Sequence, residues 1–123
     1  LVGTKYDKVE EFNNKYKDDG IVWFLEACDL NVFSIKRALW QLDRSGWFRY
    51  TKGFIIGRPY MYDMEMMGLN QYIAVTDILS KYNVPIVMDA DIGHLSPMMP
   101  LVVGALSDVE AKESSLKIKM IYK

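Results

Sequence analysis

The chain has 123 residues, half of them apolar and a quarter charged, with fifteen Lys and Arg against sixteen Asp and Glu and a formal net charge of -1. That length predicts one domain able to bury roughly two thirds of its unfolded surface. The interspersed charges offer no basic stripe to nucleic acid, and no apolar run is long enough to span a membrane.

The chain opens Leu1-Val2-Gly3-Thr4, with neither an initiator methionine nor a signal-like leader, and reads as a piece of something longer. In residues 4–19, Tyr6, Val9, Phe12 and Tyr16 recur at intervals of three and four, which predicts a surface helix capped by Thr4 and stopped at Gly20. Residues 21–25, IVWFL, form an apolar run too short for a helix and predict a buried strand that ends at Glu26. Asp29 or Asn31 can cap a second helix over residues 32–45, with Phe33, Ile35, Ala38, Leu39 and Leu42 facing inward and Gly46 as its stop. Trp40 and Trp47 are expected to pack in the core or at its rim. Residues 54–56 are the next strand, closed by Gly57-Arg58-Pro59. The Met-rich segment 60–69 either fills an irregular core gap or forms an adaptable docking surface. A third helix follows over residues 70–82, with Asn83 as its stop.

Residues 84–88 predict another buried strand, after which the chain turns through Asp89, Ala90, Asp91, Ile92 and Gly93 into His94, the only histidine. Residues 101–106 and 116–122 predict two further strands joined by the polar segment 107–115; the last alternates Leu116, Ile118 and Met120 with Lys117, Lys119 and Ile121. Strands alternate with helices as far as Pro85 and hairpin-like strands finish the chain. The pattern predicts an α/β domain whose mixed, mostly parallel sheet is flanked by helices.

Two placements carry chemistry. An unperturbed imidazole can take up and return a proton at working pH, and His94 lies just past a strand end, where sites form. Glu26 is a carboxylate directly after a buried strand, where a charge wants a partner. In a mostly parallel sheet those strand ends share one edge, so Glu26 could hold one imidazole nitrogen and leave the other free as a general base. The blander alternatives are a hydrogen-bonded structural histidine and a glutamate that marks a strand end. A nucleophile is missing: none of Ser34, Ser45, Ser80, Ser107, Ser114 and Ser115 sits in a Gly-x-Ser-x-Gly elbow. Asp89 and Asp91 add negative charge near His94, where they could raise its pKa, bind substrate or face water. With His94 they also form Asp-x-Asp-x-x-His, a weak divalent-metal pattern. The lone Cys28 cannot make an internal disulfide, which fits a reducing cytoplasm.

Several blocks, in order along the chain, resemble the C-terminal domain of the LD-carboxypeptidase family of serine peptidases, which includes the microcin-immunity peptidases. They are Gly3-Thr4, the strand 21–25 ending in Glu26, GFIIGRP from Gly53 to Pro59, the strand Pro85-Ile86-Val87 leading to Gly93-His94, and Pro97 with Pro100. The resemblance implies a small swivelling β/β/α domain and a Ser-His-Glu triad, with Glu26 as orienting acid and His94 as general base. The serine would lie in an N-terminal nucleophile domain that this chain lacks, so the fragment alone would be inactive. It further implies cytoplasmic muropeptide recycling, with no cofactor or metal and a possible homodimer; a branch of the family cleaves peptide-nucleotide antibiotics instead. Neither nucleic acid nor membrane is an expected partner. A non-catalytic docking module, with the Met-rich segment and Met98-Met99 as its contact surface, is the competing reading.

Overall fold

Short polar signals set most of the element boundaries. The computed structural model describes residues 1–61 and 63–122; Tyr62, in the Met-rich segment, and Lys123 lie outside them. The elements run α1 (Val9–Lys15), β1 (Ile21–Leu25), α2 (Val32–Arg44), β2 (Thr51–Gly57), α3 (Gln71–Leu79), β3 (Ile86–Ala90), β4 (Leu106–Lys112) and β5 (Ser115–Ile121). Asn31 caps α2 by accepting from the Ser34 amide at 3.0 Å, and Asn70 caps α3 by accepting from Ile73 at 2.9 Å. A single 3-10 turn, Ser80–Tyr82, extends α3 until Asn83 stops it in the left-handed region at φ 52°.

The first helix is shorter than its apolar spacing predicts. The Asp7 carboxylate accepts from the amides of Gly3 at 2.8 Å and Val9 at 3.1 Å and from Trp47 Nε1 at 3.0 Å, which commits the first eight residues to turns. These bonds, led by the Gly3 amide, hold the Asp7 carboxyl below its ordinary pKa. The buried residue of α1 is Asn13, whose amide donates to the carbonyls of Gly46 and Trp47.

β1, β2 and β3 form a parallel sheet in that spatial order. Because the order advances in one direction and parallel crossovers are right-handed, both crossover helices fall on the same face. Their core joins Val32, Ile35 and Leu39 of α2 to Ala74, Val75 and Leu79 of α3 and to Phe54 and Ile56 of β2, with Phe48 at its centre. Phe48 meets Phe54 edge to face with ring centroids 5.0 Å apart. The other sheet face needs a second cover. Ile55, which points there, joins Ala90 and Ile92 in a smaller cluster packed by Val109 of β4 and by Leu116 and Ile118 of β5. The layers are therefore hairpin, sheet and helices, the β/β/α arrangement expected.

The end of the chain departs from the sequence expectation. Residues 101–106 are largely irregular, and the segment expected as a polar connector forms β4, paired antiparallel with β5. A half-exposed strand needs apolar residues only on alternate positions, and β4 supplies Val109 inward while Asp108 and Glu110 face Lys119 and Lys117 across the pair. In α2 the inward residue is Val32, not Phe33, which is exposed; Trp47 packs on the core, whereas Trp40 lies on the surface. In the Met-rich segment Met66 packs on the core and Met67 stands in solvent.

Candidate active site

Parallel strands deliver their C-terminal ends to one edge, so the residues after Leu25, Gly57 and Ala90 share a neighbourhood. Glu26 follows β1 and His94 follows β3, with β2 between them, about 10 Å of sheet for the two chain ends to bridge. They meet above the end of β2: His94 Nδ1 lies 3.1 Å from Glu26 Oε2. Two glycines make that meeting possible. A Cβ on Gly57 would lie 2.5 Å from the Ile92 carbonyl oxygen and 3.2 Å from Glu26 Cβ, so β2 must end without a side chain. A Cβ on Gly93 would lie 2.9 Å from Glu26 Oε2, and its φ of +103° also requires glycine.

The path to His94 begins with an irregularity in β3. Val87 pairs with Ile55 but Ala90 pairs with Gly57, so β3 carries one extra residue over that interval. Asp89 sits there in the left-handed region at φ 56°. Its carboxylate accepts from Gln71 Nε2 at 2.8 Å and Tyr72 OH at 2.6 Å, tying β3 to the start of α3. The hydrogen bond to Asp89 raises the Tyr72 pKa above its ordinary value. Ile92 then drops into the apolar cluster, Gly93 turns the chain, and the Met99 amide donates to the Asp91 carbonyl at 2.6 Å, closing the loop that holds His94.

Asp91 is also engaged: its carboxylate accepts from Arg58 Nη2 at 2.7 Å. Asp89, Asp91 and His94 thus take three different sets of partners, and among the described residues no three His, Cys, Asp or Glu side chains gather as metal ligands. The side chains of the Asp-x-Asp-x-x-His pattern therefore do not converge on one point. Arg58 itself is a site residue that the sequence reading passed over. The signal was available, since Arg58 follows an apolar strand just as Glu26 does.

An ionised Glu26 can only accept, so a neutral His94 carries its proton on Nδ1 and presents a free lone pair at Nε2. Side-chain exposures of 57 % for His94 and 32 % for Glu26 leave that lone pair open to an incoming group. Among the described residues no hydroxyl hydrogen-bonds the ring; Ser96, exposed on the same loop, makes no bond to it. An apolar pocket of about 100 Å³ opens beside Glu26, walled by Leu30, Ala38, Leu39, Pro59 and Val75.

Fold and side chains define a class: a β/β/α domain that carries an accessible imidazole-carboxylate pair at the C-terminal edge of a parallel sheet. The LD-carboxypeptidase C-terminal domain model matches residues 1–109, and the chain belongs to that family. Among solved structures it is similar to muramoyltetrapeptide carboxypeptidase from Oxalobacter formigenes, with 22% identity and a TM-score of 0.70 over 80% of this chain and 35% of that one. That likeness is one of fold, and the chain spans about a third of that enzyme's length. No curated protein matches the chain. No helix among the described residues is long and apolar enough to cross a membrane.

Proposed function

We propose that this chain is the C-terminal, acid-base half of a serine-type carboxypeptidase that cleaves the amide bond to a terminal D-amino acid of muropeptides during cytoplasmic cell-wall recycling. The observation that carries the reading is the 3.1 Å contact between His94 Nδ1 and Glu26 Oε2, with the opposite ring nitrogen unoccupied. Its complement is a serine on a separate N-terminal nucleophile domain that docks against this edge.

In that arrangement Glu26 fixes the tautomer of His94 and stabilises the imidazolium that forms. His94 Nε2 removes the proton as the serine oxygen attacks the amide carbon, then returns it to the departing amine of the D-amino acid as the carbon-nitrogen bond breaks. Water, deprotonated by the same nitrogen, hydrolyses the acyl-enzyme and regenerates the serine. The scheme needs no cofactor, and this chain alone supplies no nucleophile to it.

The test is made in the protein that joins this chain to its serine-bearing domain, with an LD-linked muropeptide tetrapeptide as substrate and release of the terminal D-amino acid as the signal. Glu26→Gln should lower kcat by about 10⁴-fold through loss of the correct tautomer, and His94→Ala by at least as much. Both side chains are solvent-accessible, so the variants should unfold at the parent temperature. Full turnover in His94→Ala would sink the proposal.

A further inference from the structure

We propose that Arg58 is the positioning residue for His94, acting by clamping the loop on both sides of the ring. The inference rests on the serine-peptidase reading for its functional meaning, but its structural basis is independent. One guanidinium nitrogen, Nη2, donates to Asp91 Oδ1 at 2.7 Å, to the Pro97 carbonyl at 3.1 Å and, at greater length, to the Leu95 carbonyl at 3.4 Å. Those acceptors stand three residues before His94, one after it and three after it. A single side chain therefore spans the segment that carries the imidazole.

The clamp is anchored at the end of the central strand. Arg58 directly follows β2, the central strand of the parallel sheet, and its neighbours Gly57 and Pro59 are buried. The loop it grips has no regular structure between Asp91 and Met99. Its other ties, the Met99 amide to the Asp91 carbonyl and the burial of Ile92, fix the base of the loop but not the ring-bearing tip. Arg58 supplies the remaining constraint, and with a half-covered side chain its charge-assisted bond to Asp91 is sheltered from water on one side. Lysine should reproduce the contact only in part: its ammonium has donors enough for the same acceptors, but its flexible stem lacks the rigid guanidinium plane that fixes the direction of Nη2.

Because His94 is the only histidine, its two ring nitrogens are read without overlap in a nitrogen-15 imidazole spectrum. The parent should show two well-separated shifts of a fixed tautomer. Arg58→Gln should draw them together as the ring leaves Glu26, and Arg58→Lys should fall between. In the protein joined to its serine-bearing domain, the same variants should lower kcat on the order of 10- to 100-fold with KM within about twofold, the pattern of a misplaced base and not of lost substrate contact. Should Arg58→Gln fail to fold, Asp91→Asn carries the same test, since it weakens the clamp from an exposed carboxylate and leaves the Asp91 backbone bond intact. An unchanged imidazole spectrum in a folded variant overturns the proposal, and so does an unchanged kcat. If His94→Ala is as active as the parent, the serine-peptidase reading has failed instead, and the spectrum alone decides whether Arg58 holds the ring.

Discussion

Replacing Gly93 with alanine separates the cost of the backbone from the cost to the site. At φ +103° an L-residue is strained by roughly 1–3 kcal/mol. The new methyl would also sit 2.9 Å from Glu26 Oε2 and 3.1 Å from Glu26 Cβ. The carboxylate is the free end of a flexible side chain, so it can retreat at little packing cost; retreat, however, breaks the 3.1 Å contact with His94. Stability should therefore fall by about 2 kcal/mol, mostly from the backbone, which for a chain of this size is a drop in Tm of roughly 6–10 °C. Gly104→Ala is the control, since Gly104 has φ +79° but nothing within 4 Å of a built Cβ. It should show a comparable loss of Tm with an unaltered imidazole spectrum. Gly57→Ala differs again: its Cβ would strike the Ile92 carbonyl, a backbone atom that cannot swing aside, and should cost about 1–3 kcal/mol through overpacking alone. Thermal unfolding followed by circular dichroism, with the His94 ring spectrum beside it, reads all three. A Gly93→Ala protein with Tm within about 2 °C of the parent and the parent's ring spectrum would refute the reasoning.

Phe48→Ala should cost about 3–5 kcal/mol by opening a void among Phe54, Tyr82 and Trp23, measured as the shift of the urea midpoint at constant m-value. Asp43 carries a pH prediction: burial alone would raise its carboxyl, but the hydrogen bonds from Lys81 and Tyr82 outweigh burial and hold it below the ordinary 3.8. Its folded pKa is depressed, so its stabilisation is complete above 3.8 and is lost as pH falls through the folded value; the Tm gap between parent and Asp43→Asn should be constant near neutrality and close in acid. Lys117→Glu places like charges opposite each other at Glu110 and should destabilise the hairpin by roughly 0.2–1 kcal/mol, with salt reducing the difference.

The parts of the fold that were legible are those in which one local signal decides. IVWFL was legible as a strand with the bounds of β1 to the residue, but not as a fully buried one: β1 lies at the edge of the sheet, and Val22 and Phe24 are exposed. Asn31, one of the two caps read for α2, and the stop at Asn83 are equally local. Misreadings arose where a distant partner decides. The apolar stripe of residues 4–19 suggested a long helix, but the Trp47 indole and two backbone amides compete for Asp7 and cut it short. β4 has one inward valine and a row of charges, and its pairing becomes evident only against the lysines of β5.

The site shows the same division between local and relational information. Glu26 and His94 stood out because each is a polar residue placed after an apolar strand, and the structure brings the two together. The rule that selects Glu26 selects Arg58 equally well, yet one-dimensional reading treats β2 as filler between two interesting ends. Spatial order reverses that ranking. With β2 in the middle, contact between the ends of β1 and β3 has to pass over its last residues, so Gly57 must be small and the next side chain, Arg58, lies within reach of the His94 loop. In a three-stranded parallel sheet whose outer strands supply a carboxylate-imidazole pair, the residues that terminate the central strand govern how that pair is held. Substitutions at Gly57 and Arg58 should therefore disturb His94 more than substitutions at Asp89, whose partners Gln71 and Tyr72 lie on α3. A ring spectrum altered more by Asp89→Asn than by Arg58→Gln would place the control of His94 at the β3 irregularity instead.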